Sequence, residues 1–425
     1  MLKQARKLST IINYTLPRQV QAAVMRAPHQ PITIEEFPMP DLPVGGILLK
    51  TIMSEVCGTD IHIHHGRLTS VPYPIIPGHV SCGVIAGIRS QQPIYDIHHR
   101  EFKEGDIVAF LDVAETCHSC YYCSVVKQTT KCPQRKVYGI TYSCQDGRLL
   151  GGWSQYIQLV PGTKLLRLPN GLDPVSYCGG GCGLNTALHT IDRADIKLDD
   201  SVAVLGVGPV GQSVVAFARL SGAARVLAID TESDRLEFAR QMGATHTFNL
   251  REHSKLNENQ RIEIINQLSD SGFGFDVSIE CAGRSEAVRD ALLYTREGGR
   301  VVISGQYTDV GSIEINPHNL INKKHIQIRG CWGSDFSHFY RAIDMQSTFL
   351  DKLATTTYDA SVLHLNDISD QIEKLSFQVA ISTHPYSISD NKEELEIEID
   401  NRFSNRTKFK QIPMQGEEKS ELETC

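Results

Sequence analysis

Four closely spaced cysteines are the part of this sequence that points most directly to chemistry. Cys117, Cys120, Cys123 and Cys132 follow the pattern Cys-x2-Cys-x2-Cys-x8-Cys within 16 residues. Four thiolates fill the tetrahedral shell of a zinc ion and leave no open position, so a zinc ion here would brace a loop and would not react. An iron–sulfur cluster fits the spacing alone, but a neighbouring dinucleotide fold favours structural zinc. In a chain of 425 residues, such clustering favours metal binding in a reducing compartment over disulfides.

A glycine-rich loop is the second group suited to a chemical role. Gly206, Gly208 and Gly211 form Gly-x-Gly-x-x-Gly between an apolar run and a helical pattern. The first glycine permits a tight turn, the second lets the backbone approach a pyrophosphate, and the third allows close packing of helix on strand. The N-terminus of the following helix favours negative charge. The loop therefore predicts a dinucleotide-binding site, with a plain strand-to-helix turn as the alternative.

An acidic residue at the end of the next predicted strand bears on the choice of dinucleotide. Asp230 lies 19 residues after Gly211. A carboxylate in that place accepts hydrogen bonds from the adenosine ribose and repels a 2′-phosphate. NAD is therefore favoured over NADP as the cofactor. Arg235 follows five residues later, and it either reaches the ribose or faces solvent.

Two regions of different character must hold these groups in place. After about residue 184, apolar runs alternate with helical patterns, which is typical of an α/β fold with a parallel doubly wound sheet. Residues 22–185 are rich in glycine, proline and short strands and lack long helical periodicity, which predicts a β-rich irregular domain. The predicted strands of the second region are Ser201–Leu205, Arg225–Asp230, Phe275–Glu280 and 299–304, and its first helices span 210–220 and 233–243.

Six motifs in order make the sequence resemble the zinc-containing medium-chain alcohol dehydrogenase family over about residues 22–345. They are Cys57-Gly-Thr-Asp-Ile-His, Pro77-Gly-His, the four-cysteine group, Gly151-Gly-Trp-Ser-Gln-Tyr, Gly181-Cys-Gly-Leu-Asn-Thr and the Gly206 loop. The resemblance implies a GroES-like β-rich catalytic domain (22–185 and 340–385) and a Rossmann dinucleotide-binding domain (186–339). Residues 1–21 would form an N-terminal extension, and the polar residues 386–425 are expected to form a disordered tail.

The resemblance also implies a second zinc ion, with a catalytic role. Cys57, His79 and Cys182 match the three protein ligands of that zinc. Two thiolates and one imidazole leave a fourth position for water or substrate. Cys178 is a rival thiol four residues before Cys182, and the Gly-Cys-Gly motif favours Cys182.

Four further residues take their expected roles from the same resemblance. Thr59 matches a hydroxyl that contacts the substrate oxygen, and Thr186 matches a position near the nicotinamide. Asp60 matches a carboxylate that orients the zinc-bound histidine. His62 matches the distal member of a proton relay. The alternatives are a plain turn at Thr59 and solvent-facing imidazoles in the run His62-Ile-His64-His65.

Together these features predict a zinc-dependent oxidoreductase that transfers a hydride between a small alcohol or polyol and NAD, interconverting alcohol and aldehyde or ketone. One alternative is a zinc-free quinone or enoyl reductase, although that branch generally lacks the cysteine group and the Cys57/His79 pair. The other is a catalytically silent zinc and dinucleotide binder. The family implies a homodimer or homotetramer. Residues 301–304 and 326–333 lie where the family pairs its Rossmann domains, or else form internal strands.

Three departures from the family pattern bear on activity. Val80 stands where a glutamate commonly follows the ligand histidine, so we expect a zinc site that is one charge more positive, with altered ligand exchange. The spacing from Cys123 to Cys132 is one residue longer than the commonest form. The segment 376–385 differs from the family's final strand, which predicts an altered or replaced last strand and a loss of stability or activity.

Composition and charge argue against other classes of function. The chain is 41% hydrophobic and 21% charged, with a formal net charge of −7, which provides no broad basic surface for nucleic acid. It has no run of about 18 uncharged apolar residues, so a membrane span is not expected. A cytoplasmic location is expected. A mitochondrial location is the alternative, because only basic charges precede the first acidic residue, Glu35.

Overall fold

The computed structural model describes residues 16–269, 271–357, 362–364, 368 and 379–382. The N-terminal residues 1–15 and the predicted tail 386–425 therefore lie outside the described residues. Within the described part, no helix combines the length and the apolar character that a membrane crossing requires.

Strands and helices follow one another through the described chain. The strands are β1 Gln19–Val24, β2 Thr33–Pro38, β3 Gly46–Val56, β4 Ser81–Arg89, β5 Ile107–Phe110, β6 Val113–Glu115, β7 Lys136–Val137, β8 Tyr156–Leu159, β9 Leu165–Arg167, β10 Ser201–Leu205, β11 Arg225–Asp230, β12 His246–Asn249, β13 Phe275–Glu280, β14 Thr295–Ile303, β15 Gln327–Gly330, β16 Val362–His364 and β17 Val379–Ser382. The helices are α1 Gly58–His64, α2 Tyr121–Ser124, α3 Pro174–Ala194, α4 Pro209–Leu220, α5 Ser233–Gln241, α6 Glu258–Gln267, α7 Ser285–Tyr294 and α8 Phe336–Thr357.

The β-rich part is organised around strand β3. Its sheet has the order β16-β17-β3-β4-β5-β9, and β8 also pairs with β3. Strand β3 is buried almost throughout, since sheet neighbours and the side chain of Trp153 cover it. A long, covered strand of this kind holds its ends rigidly, and residue 57 follows directly on its last residue, Val56.

The last described strand lies in the segment for which the sequence predicted an altered or replaced final strand. Val379–Ser382 pairs antiparallel with Met53–Val56 of β3, so the divergent sequence still supplies a strand at this place. Pairing of this kind uses backbone groups, so it survives many changes of side chain. Strand β3 therefore has a hydrogen-bonded partner on this side.

The second sheet has six parallel strands in the order β12-β11-β10-β13-β14-β15. This arrangement confirms the predicted α/β class with a Rossmann-type doubly wound sheet. The strand order reverses between β10 and β13, which pair from Val202 to Leu205. In open α/β sheets, ligands bind outside the carboxyl ends of the strands at that reversal, so Leu205 and Glu280 mark the expected crevice.

Helix α3 crosses the boundary that the sequence placed at residue 186. It runs from Pro174 to Ala194 with one kink, at Gly181, where φ is 39° and ψ is −140°. Residues 22–185 were predicted to lack a long helix. Glycines 179–181 obscured it, because glycine is among the poorest helix formers. The kink places Cys182 at the start of a fresh helical segment that packs against α4 and α8.

Candidate metal centre and dinucleotide site

Three residues that are distant in sequence come together at the end of β3. Cys57 caps the N-terminus of α1, His79 lies in the turn before β4, and Cys182 follows the kink of α3. The Cys57 sulfur lies 3.5 Å from His79 Nε2 and 3.7 Å from the Cys182 sulfur. In a tetrahedral zinc shell, bonds of about 2.0–2.3 Å separate the ligand atoms by roughly 3.5–3.8 Å. The three side chains therefore fit a zinc ion.

Glu55 is a fourth member of this cluster, and the sequence analysis did not identify it. Its carboxylate and the ligand atoms of Cys57, His79 and Cys182 all lie within 4.8 Å of one another. Glu55 Oε2 accepts a hydrogen bond from the Cys182 backbone N–H at 3.0 Å. The available signal was strand periodicity: residues two apart on an extended strand face the same side, so a glutamate two residues before a ligand cysteine shares its face.

The charges of the cluster act strongly on one another. Burial raises the pKa of a thiol, but the Cys182 thiol and the His79 imidazole outweigh burial and lower the pKa of Cys57 to about 6. The same contact with Cys57, together with burial, raises the pKa of Cys182 well above its usual value. Burial and the nearby Cys57 raise the pKa of Glu55 well above its usual value. Such crowding of acidic groups is expected where residues gather around a cation.

Asp60 lies on the far side of the His79 ring. Its Oδ1 is 3.8 Å from His79 Nδ1, and its Oδ2 accepts a hydrogen bond from the Cys57 backbone N–H at 3.0 Å. Both facing atoms, Asp60 Oδ1 and His79 Nδ1, are buried without a hydrogen bond to any described residue. A carboxylate facing the remote nitrogen of a metal-binding histidine fixes the orientation of the ring. This position fits the role expected for Asp60.

The structure separates the candidates that the sequence left open. His62 and Thr59 border a cavity beside the metal cluster. His64 is instead buried with its Nε2 3.2 Å from the Gln30 carbonyl, and His65 stacks on His29. Cys178 is buried against Cys82 and is not part of the candidate ligand set. Of these candidates, His62, Thr59 and Cys182 are the ones placed at the site.

Cys117, Cys120, Cys123 and Cys132 form a second candidate metal site. The segment 117–132 that carries them is called the cysteine lobe below. Their sulfurs all lie within 4.8 Å of one another, and the Cys132 thiol lies 3.6 Å from the Cys117 sulfur. Backbone N–H groups of Ser119 and Cys120 lower the pKa of Cys117 to about 6, which favours the thiolate that zinc requires. Burial raises the pKa of Cys123 to about 12. The extra residue between Cys123 and Cys132 does not separate the four sulfurs.

The lobe also supports one wall of the cavity. The Trp332 ring stacks on Tyr307 with centroids 5.9 Å apart. Lys131 Nζ lies 4.7 Å from the centre of the Trp332 ring, and the Arg135 guanidinium lies 5.4 Å from it. Cation–π contacts of this kind are worth about 0.5–2 kcal/mol each, depending on how far the cation is desolvated. The cysteine lobe therefore positions aromatic residues that border the candidate substrate space.

The three glycines of the loop differ in the space around them. Gly206 has φ of 85°, and a Cβ there would lie 2.5 Å from the Ala282 Cα. A Cβ at Gly211 would lie 2.0 Å from the Gly206 carbonyl oxygen, whereas one at Gly208 would meet no protein atom within 4 Å. The first and third glycines are therefore required by the fold, and the second leaves open space at the start of α4.

Asp230 and Arg235 lie beside this loop. Asp230 Oδ2 accepts a hydrogen bond from the Val207 backbone N–H at 2.8 Å, and its Oδ1 accepts one from the Thr231 N–H at 2.7 Å. Oδ1 also accepts the Glu232 N–H at 3.1 Å, so Oδ2 is the oxygen that can accept a further bond, for example from a ribose hydroxyl. The Arg235 guanidinium lies 4.0 Å from Asp230, and this contact places it beside the carboxylate.

Glu280 is another buried carboxylate that the sequence analysis did not identify. Its Oε1 accepts a hydrogen bond from the Gly283 N–H at 2.7 Å, and its Oε2 accepts one from the Gly305 N–H at 3.1 Å. These bonds hold together the loops that follow β13 and β14. A strand-end glutamate gives little signal in sequence, because its partners are backbone groups of loops whose positions the sequence does not specify.

One cavity of about 450 Å³ connects the metal cluster to the dinucleotide loop. Its volume is within the range of small-molecule sites. Its lining includes both candidate groups, with Cys57, Thr59, His62, His79, Cys182, Thr186, Pro209, Gly283, Tyr307 and Trp332. A small molecule in this cavity would therefore contact both the metal-ligand cluster and the start of α4.

Comparisons with known proteins agree with both halves of the site. Residues 44–170 match the family described as "Alcohol dehydrogenase GroES-like domain", and residues 209–348 match the family described as "Zinc-binding dehydrogenase". The 5-exo-hydroxycamphor dehydrogenase of Pseudomonas putida is 31% identical over 80% of this chain and 91% of its own length. Other relatives are named sorbitol dehydrogenase, D-arabinitol dehydrogenase 1 and L-threonine 3-dehydrogenase.

Solved structures give the same result for the fold. An alcohol dehydrogenase from Thermotoga maritima has a TM-score of 0.79 and 29% identity, over 86% of this chain and 99% of that chain. A zinc-binding dehydrogenase from Sinorhizobium meliloti 1021, solved bound to NADP, has a TM-score of 0.72 and 25% identity over 86% of this chain and 99% of that chain. The similarity therefore spans both sheets.

Proposed function

Because the chain belongs to the zinc-containing medium-chain alcohol dehydrogenase family of oxidoreductases, we propose that it interconverts an alcohol or polyol with its aldehyde or ketone. The hydride passes between the substrate and NAD. The observation that carries the proposal is the shared cavity, which the Cys57–His79–Cys182 cluster and the start of α4 both border. No described residue favours a catalytically silent binder, because the ligand cluster and the dinucleotide loop are both complete.

We assign two metal ions to the chain. Cys57, His79 and Cys182 hold the catalytic ion, and the four lobe cysteines hold the structural ion. When bound, the catalytic zinc supplies a Lewis acid that lowers the pKa of an alcohol. Asp60 keeps the His79 ring in the orientation that presents Nε2 to the cluster. Thr59, His62 and Thr186 all line the cavity. Thr59 contacts the substrate oxygen, His62 is the distal member of the proton relay, and Thr186 lies near the nicotinamide.

NAD is the proposed dinucleotide. Asp230 supports this assignment, because its carboxylate lies at the end of β11, bonded to the loop that would hold the pyrophosphate. The negative charge of Asp230 would repel the 2′-phosphate group that distinguishes NADP from NAD. Arg235 is the feature that works against the preference, since its guanidinium lies 4.0 Å away. A kcat/KM that is higher with NADP than with NAD would contradict the assignment.

The assembly and the domain limits are also proposals. Strand β15 is the edge of the parallel sheet, and its Ile328 side chain is 41% exposed, which supports two-fold pairing into a homodimer or homotetramer. A monomeric mass in sedimentation equilibrium would exclude this pairing. The catalytic domain is assigned to 22–185 and 340–385 and the dinucleotide domain to 186–339. A cytoplasmic location agrees with the metal-binding cysteines, and cell fractionation tests it.

The function is tested by metal analysis together with a screen of alcohols and polyols with NAD. We expect about two zinc ions per chain, NADH formation with at least one alcohol, and loss of that activity when a chelator removes zinc. Zinc returned to the stripped protein should restore turnover. One zinc ion held only by the cysteine lobe, with no turnover of any alcohol, would contradict the proposal.

His62 is expected to set the acid limb of the pH profile. Burial lowers the pKa of His62, and the positive charges of Arg67 and His65 lower it further. The imidazole is therefore neutral at pH 7 and can accept a proton, and it loses this capacity only below the usual value of about 6.5. His62→Gln should lower kcat at pH 7 about tenfold or more and flatten the acid limb.

A matched histidine provides the control for this measurement. His64→Gln changes a buried ring that contacts the Gln30 carbonyl and not the cavity, so the wild-type pH profile should remain. Added imidazole should restore part of the activity of His62→Gln. If His62→Gln keeps the wild-type acid limb, another group carries the proton.

A further inference from the structure

The backbone of Glu55 is fixed in the middle of the β-rich sheet. Its N–H donates to the Val80 carbonyl at 2.9 Å, and its carbonyl accepts the Trp153 indole N–H at 3.0 Å. It also pairs with Ala380 of β17. Because both neighbouring strands hold this residue, its side chain cannot turn out to solvent. The carboxylate must find its partners inside the protein.

No lysine or arginine is among the groups that act most strongly on the Glu55 carboxylate. The residue is fully buried, and the charged groups that act on it most are Cys57, His79 and Asp60. A buried carboxylate that lacks a cation is destabilised in its charged form. Oε2 accepts a hydrogen bond from the Cys182 N–H and Oε1 accepts one from the Cys182 thiol, but neither donor carries a positive charge. A divalent cation in the cluster would supply the missing positive charge.

The surrounding backbone is shaped to admit this carboxylate. A Cβ at Gly181 would lie 2.1 Å from Glu55 Oε2, and Gly181 has a φ of +39°. The glycine therefore leaves the space that the carboxylate fills. Glu55 is not part of the cavity lining, unlike Cys57, His79 and Cys182, so it approaches the cluster from the protein interior.

The spacing of Glu55 matches that of a metal ligand. Its Oε1 lies 3.7 Å from the Cys182 sulfur. Sulfur and oxygen ligands at about 2.3 and 2.0–2.2 Å from zinc, at tetrahedral angles, are separated by roughly 3.5–3.7 Å. Three contacts of the cluster therefore have ligand spacing, Cys57–His79, Cys57–Cys182 and Cys182–Glu55, and all four donor atoms lie within 4.8 Å of one another. The motifs in the sequence provided three of these four donors.

We propose that Glu55 is the fourth protein ligand of the metal ion held by Cys57, His79 and Cys182. The inference rests on the proposed function for the existence of that ion. It also accounts for Val80, which stands where a glutamate is expected after the ligand histidine. Glu55 on β3 donates its backbone N–H to the Val80 carbonyl, and its side chain supplies the carboxylate instead. Glu55 would hold the ion from the protein interior, and Cys57, His79 and Cys182 would hold it at the cavity wall.

The test measures metal release and ligand field without relying on turnover. Purified full-length protein loaded with zinc is mixed with a chromophoric chelator, and the cobalt-substituted protein is examined by visible absorption. We expect Glu55→Gln to release one of its two zinc ions at least about tenfold faster, since losing even an indirect partner of a ligand weakens metal binding by 10–100-fold. The second, lobe-bound ion should be released at the wild-type rate. The cobalt d–d bands should change while the sulfur charge-transfer bands remain.

Two further variants separate ligation from a structural role. Glu280→Gln removes another fully buried glutamate and should leave both release rates unchanged. Glu55→Gln/Val80→Glu restores a carboxylate from the neighbouring strand and should slow the release again. Removal of a buried charge should leave the unfolding temperature of metal-free Glu55→Gln unchanged or raised, whereas that of the zinc-loaded variant should fall. A fall in both would assign Glu55 a structural role and overturn the inference.

Failure of the inference is distinguishable from failure of the function. If wild-type protein binds two metal ions and Glu55→Gln has identical release rates and d–d bands, Glu55 is not a ligand and the proposed function is unaffected. If wild-type protein binds only the lobe ion, both proposals are wrong.

Discussion

Replacing His79 with alanine is expected to leave one metal ion per chain and to lower kcat/KM for an alcohol by about a thousandfold or more. His79 provides the imidazole of the cluster, and its Nε2 lies 3.5 Å from the Cys57 sulfur. The remaining thiols hold zinc more weakly, because tetrahedral zinc requires a full set of donors. Metal analysis and steady-state kinetics on the same preparation provide the measurement.

The cysteine lobe provides the matched control. Cys132→Ser should also leave one metal ion per chain, but the lost ion is the structural one. Its unfolding temperature should fall, because the lobe carries Lys131 and Arg135 against the Trp332 ring. Its kinetic loss should be smaller than that of His79→Ala at temperatures where it is folded. Equal activity of His79→Ala and wild type would contradict the assignment of the catalytic metal.

Substitutions at two glycines of the loop are expected to separate an effect on stability from an effect on NAD binding. Gly211→Ala places a Cβ 2.0 Å from the Gly206 carbonyl oxygen, and a backbone atom cannot move away as the end of a flexible side chain could. We expect it to destabilise the protein by about 1–3 kcal/mol or more, with or without NAD. Denaturant unfolding of the protein without added dinucleotide provides the measurement.

Gly208→Ala provides the contrast. Its Cβ meets no protein atom within 4 Å, so the unfolding free energy without NAD should change by less than about 1 kcal/mol, the ordinary difference between glycine and alanine. The same methyl group occupies the space where the backbone must approach the pyrophosphate, so the Kd for NAD should rise tenfold or more. Tight NAD binding by Gly208→Ala would show that the phosphate lies elsewhere.

Local features of this protein were predicted from the sequence more completely than features that depend on distant parts of the chain. The lobe spacing and the glycine loop are local patterns, and each implies its own chemistry within a short stretch of chain. The strands Arg225–Asp230 and Phe275–Glu280 were predicted with the bounds that the structure has, because buried parallel strands have a continuous apolar signal. The kink at Gly181 and the strand Val379–Ser382 had no such signal, since both depend on distant neighbours.

The sequence by itself determined the α/β class, the dinucleotide loop and the four-cysteine lobe, because their chemistry depends on residues near one another in the chain. The resemblance pointed to Cys57, His79 and Cys182, but only the tertiary structure showed that they meet and that Glu55 joins them. The register of β3 against β4 and the kink of α3 bring together Glu55, Cys57, His79 and Cys182. It also showed that His62, and not His64 or His65, lines the cavity, and that Cys182, and not Cys178, belongs to the ligand cluster. Side chains from three distant segments meet only when sheet pairing fixes the backbones, and spacing along a chain does not encode that pairing.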